Sequence, residues 1–165
     1  MKALLGTLIF TVLAPGPVLV GVPYLLVTSG LELSFAIGNL RFIGIIPIAI
    51  GTAGYIWTAW DFVFAGKGTP APVGPPRMLV SRRLYRIVRN PMYIGVLFIL
   101  VGEAILFMSW TLLAYAGLAW FLFHLFVVCY EEPNLRKKFG ASYEEYLNSV
   151  PRWIPRAKRA KLTAE

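Results

Sequence analysis

The chain has 165 residues, of which 58% are apolar and only 15% charged, with a mean hydropathy of +0.67, whereas a soluble globular domain carries about a quarter charged residues. That composition excludes a water-soluble domain, and 15 Gly and 12 Pro scattered through apolar sequence exclude a collagen-like or low-complexity chain. The net charge of +8 then points to anionic lipid headgroups and away from nucleic acid, and the single Cys129 excludes a disulfide framework and a cysteine-based metal site.

A bilayer-spanning helix needs about 20 apolar residues to cross roughly 30 Å of hydrocarbon. Residues 3–31 contain no charge and predict a first span over about 4–29. Its length, its prolines Pro15, Pro17 and Pro23, and the lack of a small-residue cleavage site separate it from a signal peptide. The prolines predict a kink. Residues 42–60 are again uncharged and predict a second span over about 41–65. A loop over 66–90 follows, in which GKGTPAPVGPP at 66–76 reads as a turn and extended polyproline-like chain. Within the same loop, Met78, Leu79, Leu84, Ile87 and Val88 among four arginines predict a short amphipathic helix over 78–88.

Residues 91–130 are then interrupted only by Glu103 and His124. This stretch is twice a span and predicts a hairpin of two helices, 91–108 and 111–132, turning near Ser109 and Trp110. In the tail, 133–165, helix continues to Phe139 and breaks at Gly140. Ser142 and Glu145 predict a capping box for a last helix bearing Tyr143, Tyr146 and Leu147. Trp153 and Ile154, set between prolines, suit an interfacial anchor.

The expected fold class is therefore all-α: a single polytopic integral-membrane domain over 1–165, with four transmembrane helices, a C-terminal helical hairpin and short amphipathic cytoplasmic helices. With four spans every basic residue except Arg41 lies on one side, which places both termini and the 66–90 loop in the cytoplasm.

Charge at membrane depth is costly unless it is paired or faces a cavity, so the polar residues there are informative. They are Arg89, Asn90, Tyr93, Glu103, His124, Glu131 and Glu132. A turn between Ser109 and Trp110 sets His124 level with Gly95, and Glu131 level with Val88 and Arg89. The expected result is a small polar pocket just under the headgroups, with room beside His124 at Gly95. Each member also has a structural reading. Asn90–Pro91 makes a helix N-cap followed by proline at the first helical position, Arg89 and Glu131 make an ion pair, and His124 is a bundle histidine. Glu103 snorkels or bonds across the hairpin, and its role is left open. Cys129 has no base oriented onto it and reads as packing, and GKG at 66–68 follows no strand, so it is a weak phosphate loop.

Taken together, LYRIVRNPMYIG, about 40 residues of hairpin, then HLFVVCYEEPNLRKKFGASYEEYLNSVPRW resembles the integral-membrane methyltransferases that include isoprenylcysteine carboxyl methyltransferase and phospholipid N-methyltransferase. That family's mark is Arg-His-Pro-x-Tyr-x-Gly before the hairpin and Glu-Glu after it. Arg89, Asn90, Pro91, Tyr93, Gly95, Glu131 and Glu132 stand at those positions, with Asn90 in place of His.

The resemblance implies S-adenosyl-L-methionine as cofactor, and a lipophilic small-molecule acceptor, an isoprenylcysteine-like carboxylate or a lipid amine, entering from the membrane lipids. It implies Arg89 and Glu131 as catalytic residues and Asn90, Pro91, Tyr93, Gly95, His124, Glu131 and Glu132 as the cofactor site, opening to the cytoplasmic face. Within it Arg89 suits a carboxylate, Glu131 and Glu132 the ribose hydroxyls or ammonium, Tyr93 and His124 the walls, and the backbone at Asn90 and Pro91 the adenine. Spacing leaves open which carboxylate meets which group. No metal is implied, and a soluble-type Gly-rich strand-turn-helix fingerprint is missing, which excludes a Rossmann methyltransferase. Two rival readings are an NADPH-dependent membrane lipid reductase, against which stand the short chain and its one histidine, and a non-catalytic lipid-binding membrane subunit whose charged pairs are structural.

Overall fold

The computed structural model describes residues 2–30, 33–64, 79 and 81–156. The GKGTPAPVGPP stretch and the end of the tail lie outside the described residues. Among the described residues seven α-helices carry the fold: α1 Lys2–Leu13, α2 Val22–Thr28, α3 Ile45–Phe64, α4 Pro91–Leu106, α5 Trp110–Phe126, α6 Glu132–Phe139 and α7 Ala141–Ser149. Among the described residues the only strand-like pairing is one bridge between Ser34 and Ser109.

Among the described residues three helical runs are long and apolar enough to cross a membrane: Leu4–Thr28, Gly38–Phe64 and Trp110–Phe139. Their outer faces expose Leu5, Val12, Trp60, Phe121, Leu122 and Phe126, as lipid-facing surface does. Helix α4, with 16 residues, rises only about 24 Å and is shorter than the hydrocarbon layer.

Proline shapes the first and last of these runs in the same way. A proline ring clashes with the carbonyl four residues back and offers no N–H, so the turn before it widens to π-helix. Pro17–Gly21 is such a turn ahead of Pro23, and Val127–Glu131 is another ahead of Pro133. In the first, the Val22 N–H reaches back to the Pro17 carbonyl, and the Val18 carbonyl accepts the Tyr115 hydroxyl at 3.0 Å. A bundle neighbour thus satisfies backbone that proline freed. Thr11 Oγ1 donates to the Thr7 carbonyl and accepts from the Tyr55 hydroxyl, both at 2.8 Å, which ties α1 to α3.

Helices α3 and α4 meet backbone to backbone. A Cβ added to Gly44 would lie 2.5 Å from the Gly102 carbonyl oxygen, and one added to Gly95 would lie 2.8 Å from that of Gly51. The two contacts are seven residues apart on each chain segment, so a pair of antiparallel glycine contacts sets the spacing. With little hydrophobic drive between helices in lipid, such close approach is a main source of association. Gly95 therefore packs against Gly51 and Tyr55 of α3.

Helix α4 passes to α5 through Phe107–Ser109, slightly earlier than the expected turn. Met108 takes the left-handed region, with φ of 54°, and buried Ser109 caps α5 by accepting from the Leu112 N–H at 3.2 Å. Leu100, Ala104, Leu112, Ala116 and Ala119 are buried between the two. The loop after α2 closes on this turn: the Phe35 N–H donates to the Met108 carbonyl at 2.9 Å and the Trp110 N–H to the Leu33 carbonyl at 2.8 Å.

At the other end two expectations fail. Among the described residues of the expected 78–88 amphipathic helix there is one 3₁₀ turn, Arg83–Arg86, because Arg83 is left-handed at φ 49° and a right-handed helix cannot run through it. Buried Tyr85 fixes the turn, its carbonyl accepting the Tyr146 hydroxyl at 2.7 Å. Nor do Ser142 and Glu145 form a capping box. The N-cap of α7 is Gly140, whose φ of 54° and ψ of −128° end α6 and start α7 together, leaving Ser142 inside the first turn.

The glycine contacts are testable by thermal unfolding of ligand-free, detergent-purified protein. Gly51→Ala and Gly95→Ala should each destabilise by about 1–3 kcal/mol, because a methyl group meets immovable backbone. Gly117→Ala, where nothing lies within 4 Å, should be neutral or slightly stabilising.

Candidate functional site: a clasped carboxylate beside an aromatic wall

The site forms where the start of α4, the end of α5, the start of α6 and the segment after α7 converge. The π-turn at Val127–Glu131 sends two consecutive carboxylates to different partners. Glu132 is buried, with its Oε1 and Oε2 gripped by Arg152 Nε at 2.8 Å and Nη2 at 2.9 Å. Arg89 Nη1 stands 3.3 Å from the same Oε1. Two guanidiniums thus share one carboxylate, and the buried Arg89 Nε has no partner among the described residues.

Glu131 meets no arginine among the described contacts. The Tyr93 hydroxyl donates to its Oε2 at 3.1 Å. The Tyr93 ring is one wall of an aromatic cluster, 4.9 Å from Phe123 and 6.4 Å from Trp153, centroid to centroid. Trp153 in turn donates its indole N–H to His124 Nδ1 at 3.1 Å, and His124 stacks on Trp120.

The segment after α7 is the strap that closes this end. The Arg89 N–H donates to the Pro151 carbonyl at 2.8 Å, and Asn90 Nδ2 to the Arg152 carbonyl at 3.2 Å. Asn90 does occupy the N-cap position, with Pro91 at the start of α4, but its side chain makes no cap bond because the strap takes it. Trp153 is likewise not a free interfacial anchor: its N–H is spent on His124, while Ile154 remains exposed. Beneath the strap Tyr143, Tyr146 and Val150 are buried together. Burial pushes the Tyr143 phenol up to about 12 and raises those of Tyr85 and Tyr146, so at neutral pH these hydroxyls donate and do not act as bases. The hydrogen bonds to Glu132 raise Arg152 further above its ordinary value.

The structure thus gathers Arg89, Asn90, Pro91, Tyr93, His124, Glu131 and Glu132 at one end, and sets Gly95 apart, packed on Gly51 and Tyr55. The sequence reading missed Arg152, Trp153 and Phe123. One signal was present for Arg152: two adjacent carboxylates at the end of an apolar helix stand opposite Arg89 alone in the motif. Among the described residues no group of three or more His, Cys, Asp or Glu could hold a metal.

Residues 40–142 match the family model for phospholipid methyltransferase, a segment that contains both halves of the motif. The chain belongs to the phospholipid methyltransferase family. It is also 35% identical over 78 residues to Protein-S-isoprenylcysteine O-methyltransferase B of Arabidopsis thaliana. That match covers 47% of this chain and 39% of the plant protein, so the chain spans well under two thirds of that relative. The strap, with Arg152 and Trp153, lies beyond the segment matched to the phospholipid methyltransferase family.

The clasp predicts an asymmetry between the neighbours. Glu132→Gln leaves two guanidiniums facing a neutral amide and should lower the ligand-free melting temperature by several degrees, because breaking a buried pair strands charge. Glu131→Gln should shift it much less, since a single hydrogen bond from Tyr93 is at stake. Thermal unfolding of the two variants side by side checks this.

Proposed function

We propose that the protein is an S-adenosyl-L-methionine-dependent methyltransferase acting on a lipophilic acceptor within the membrane. The observation that carries this reading is the division of labour at residues 131 and 132 in a chain of a methyltransferase family: Glu132 is neutralised by two arginines, and among the described residues Glu131 has the Tyr93 phenol as its partner. The residues fit such a cofactor chemically. Glu131 offers acceptor oxygens to its ammonium or ribose hydroxyls, the uncommitted Nε of Arg89 offers a donor to its carboxylate, and Tyr93, Phe123 and Trp153 offer ring faces. Backbone at Asn90 and Pro91 is the proposed adenine contact. Gly95 acts through helix spacing and not through contact with the cofactor.

When bound, the cofactor supplies an electrophilic methyl group on a sulfonium. The protein's own work is positioning and exclusion of water. The strap holds Arg89, Asn90 and His124 from the aqueous side, and the aromatic wall covers the site with apolar surface. His124 takes its orientation from Trp153, whose N–H occupies Nδ1. An amine acceptor would have to lose a proton, for which Glu131 is the free carboxylate of the pair. The family match favours neither a reductase nor a non-catalytic subunit.

The same reading includes a single membrane domain with four crossings, α4 spanning as a short helix, and both termini and the site on the cytoplasmic face. It is supported by the bonding of the 33–35 loop to the α4–α5 turn, which gathers both connections at one end, and by the sequence count, in which four crossings put every basic residue but Arg41 on one side.

Two measurements test it. Calorimetric titration of the detergent-purified protein with S-adenosylhomocysteine should give saturable binding that Glu131→Gln weakens roughly ten- to a hundredfold, and NADPH should give none; binding of NADPH alone would refute the reading. Separately, a cysteine placed at exposed Ser34 in a Cys129→Ser background should react with an impermeant maleimide only from the non-cytoplasmic side.

A further inference from the structure

His124 is the only histidine of the chain, and two tryptophans restrain its ring. Trp120, one turn earlier on α5, stacks on it with centroids 5.8 Å apart and planes inclined at 27°. Trp153 comes from the strap, 29 residues later in the chain, and donates its indole N–H to Nδ1 at 3.1 Å. Among the described residues no carboxylate pairs with either ring nitrogen.

An indole nitrogen donates and never accepts, so this one bond decides the chemistry of the imidazole. Nδ1 must offer its lone pair. An imidazolium carries a proton on each nitrogen and would set N–H against N–H, and the neutral tautomer protonated on Nδ1 would do the same. One form remains, the neutral ring with its proton on Nε2. A half-turn of the ring gives no escape, because it exchanges Nδ1 for a carbon and loses the bond. With Nδ1 occupied and Nε2 protonated, His124 has no free lone pair to take a proton and one N–H to give.

We propose that Trp153 is a positioning residue that acts through His124: it holds the imidazole as the Nε2–H tautomer, which makes His124 a fixed hydrogen-bond donor to an acceptor atom of the bound cofactor and withdraws it from proton transfer. The same indole borders the carboxylate that stays available. Its ring lies 6.2 Å from that of His124 and 6.4 Å from that of Tyr93, centroid to centroid, and Tyr93 donates to Glu131. Proton acceptance is thereby left to Glu131. A neutral donor also suits a cofactor that carries a sulfonium, beside which an imidazolium would add like charge. This inference rests on the methyltransferase reading and deepens it by giving a role to a residue outside the segment matched to the family, 40–142.

The test uses the full chain, purified without a histidine tag and carrying isotope-labelled histidine nitrogens for NMR, so that one imidazole is the source of both ring-nitrogen signals. In the ligand-free protein Nδ1 should give the signal of an unprotonated nitrogen and Nε2 that of a protonated one. Trp153→Phe keeps an aromatic ring without the donor and should move both signals toward the averaged pattern of exchanging tautomers. Calorimetric titration with S-adenosylhomocysteine supplies the second readout. His124→Leu should weaken binding roughly tenfold or more, and His124→Gln, whose amide carries N–H near the ε position, should recover most of that loss. A proton on Nδ1 in the unaltered protein would overturn the proposal, whether or not Trp153→Phe folds. So would an unchanged ring pattern in folded Trp153→Phe, or an equal loss in the Gln and Leu variants. Failure of the unaltered protein to bind S-adenosylhomocysteine would refute the methyltransferase reading and the donor role with it, while the ring signals would still decide the tautomer.

Discussion

A buried carboxylate must be paired, and the pairing of Glu132 organises everything around it. Arg89 reaches it from the approach to α4, Arg152 from the strap beyond α7, and Glu132 itself opens α6. One buried charge thereby joins three segments, the nearer two of which are 20 residues apart in the chain. Its cost of burial is offset only if both arginines stay, so the strap is obliged to return to the start of α4. Once there, its carbonyls accept from Arg89 and Asn90 and its indole orients His124.

That clasp would be useless at the wrong depth. The depth is set by the glycine contacts between α3 and α4, which fix where the short α4 sits against its longer neighbour, and by Pro133, which widens the last turn of the long apolar helix. Without the extra residue in that turn, Glu131 and Glu132 would follow ordinary helical spacing. With it, Glu132 meets the arginines and Glu131 meets Tyr93. π-Turns recur at functional sites because they re-aim side chains without ending a helix.

Three carboxylates at this end consequently differ in what they can still do. Glu132 is saturated and holds structure. Glu131 keeps acceptor capacity beside an aromatic wall, suited to a polar cofactor. Asp61, near the end of α3, lies 3.4 Å from Arg83 through one oxygen, and its other oxygen has no partner among the described residues.

Sequence by itself determined the apolar runs, the kink at Pro15 to Pro23, the break at Gly140, and the motif residues Arg89 to Tyr93 with Glu131 and Glu132, because hydropathy, missing N–H groups and short motifs are local properties. It could not determine partners. Asn90 was an acceptable N-cap until the strap claimed its amide, and Trp153 was an acceptable lipid anchor until His124 claimed its N–H. The 78–88 segment had helical patterning that the left-handed Arg83 and the buried Tyr85 overrode. Gly95 shows the limit most plainly. A glycine beside a motif reads equally well as room for a ligand or room for a helix, and only the position of the Gly51 carbonyl, 44 residues earlier in the chain, decides between them. Close approach of two backbones is a relation between distant segments, and tertiary structure alone can hold that information.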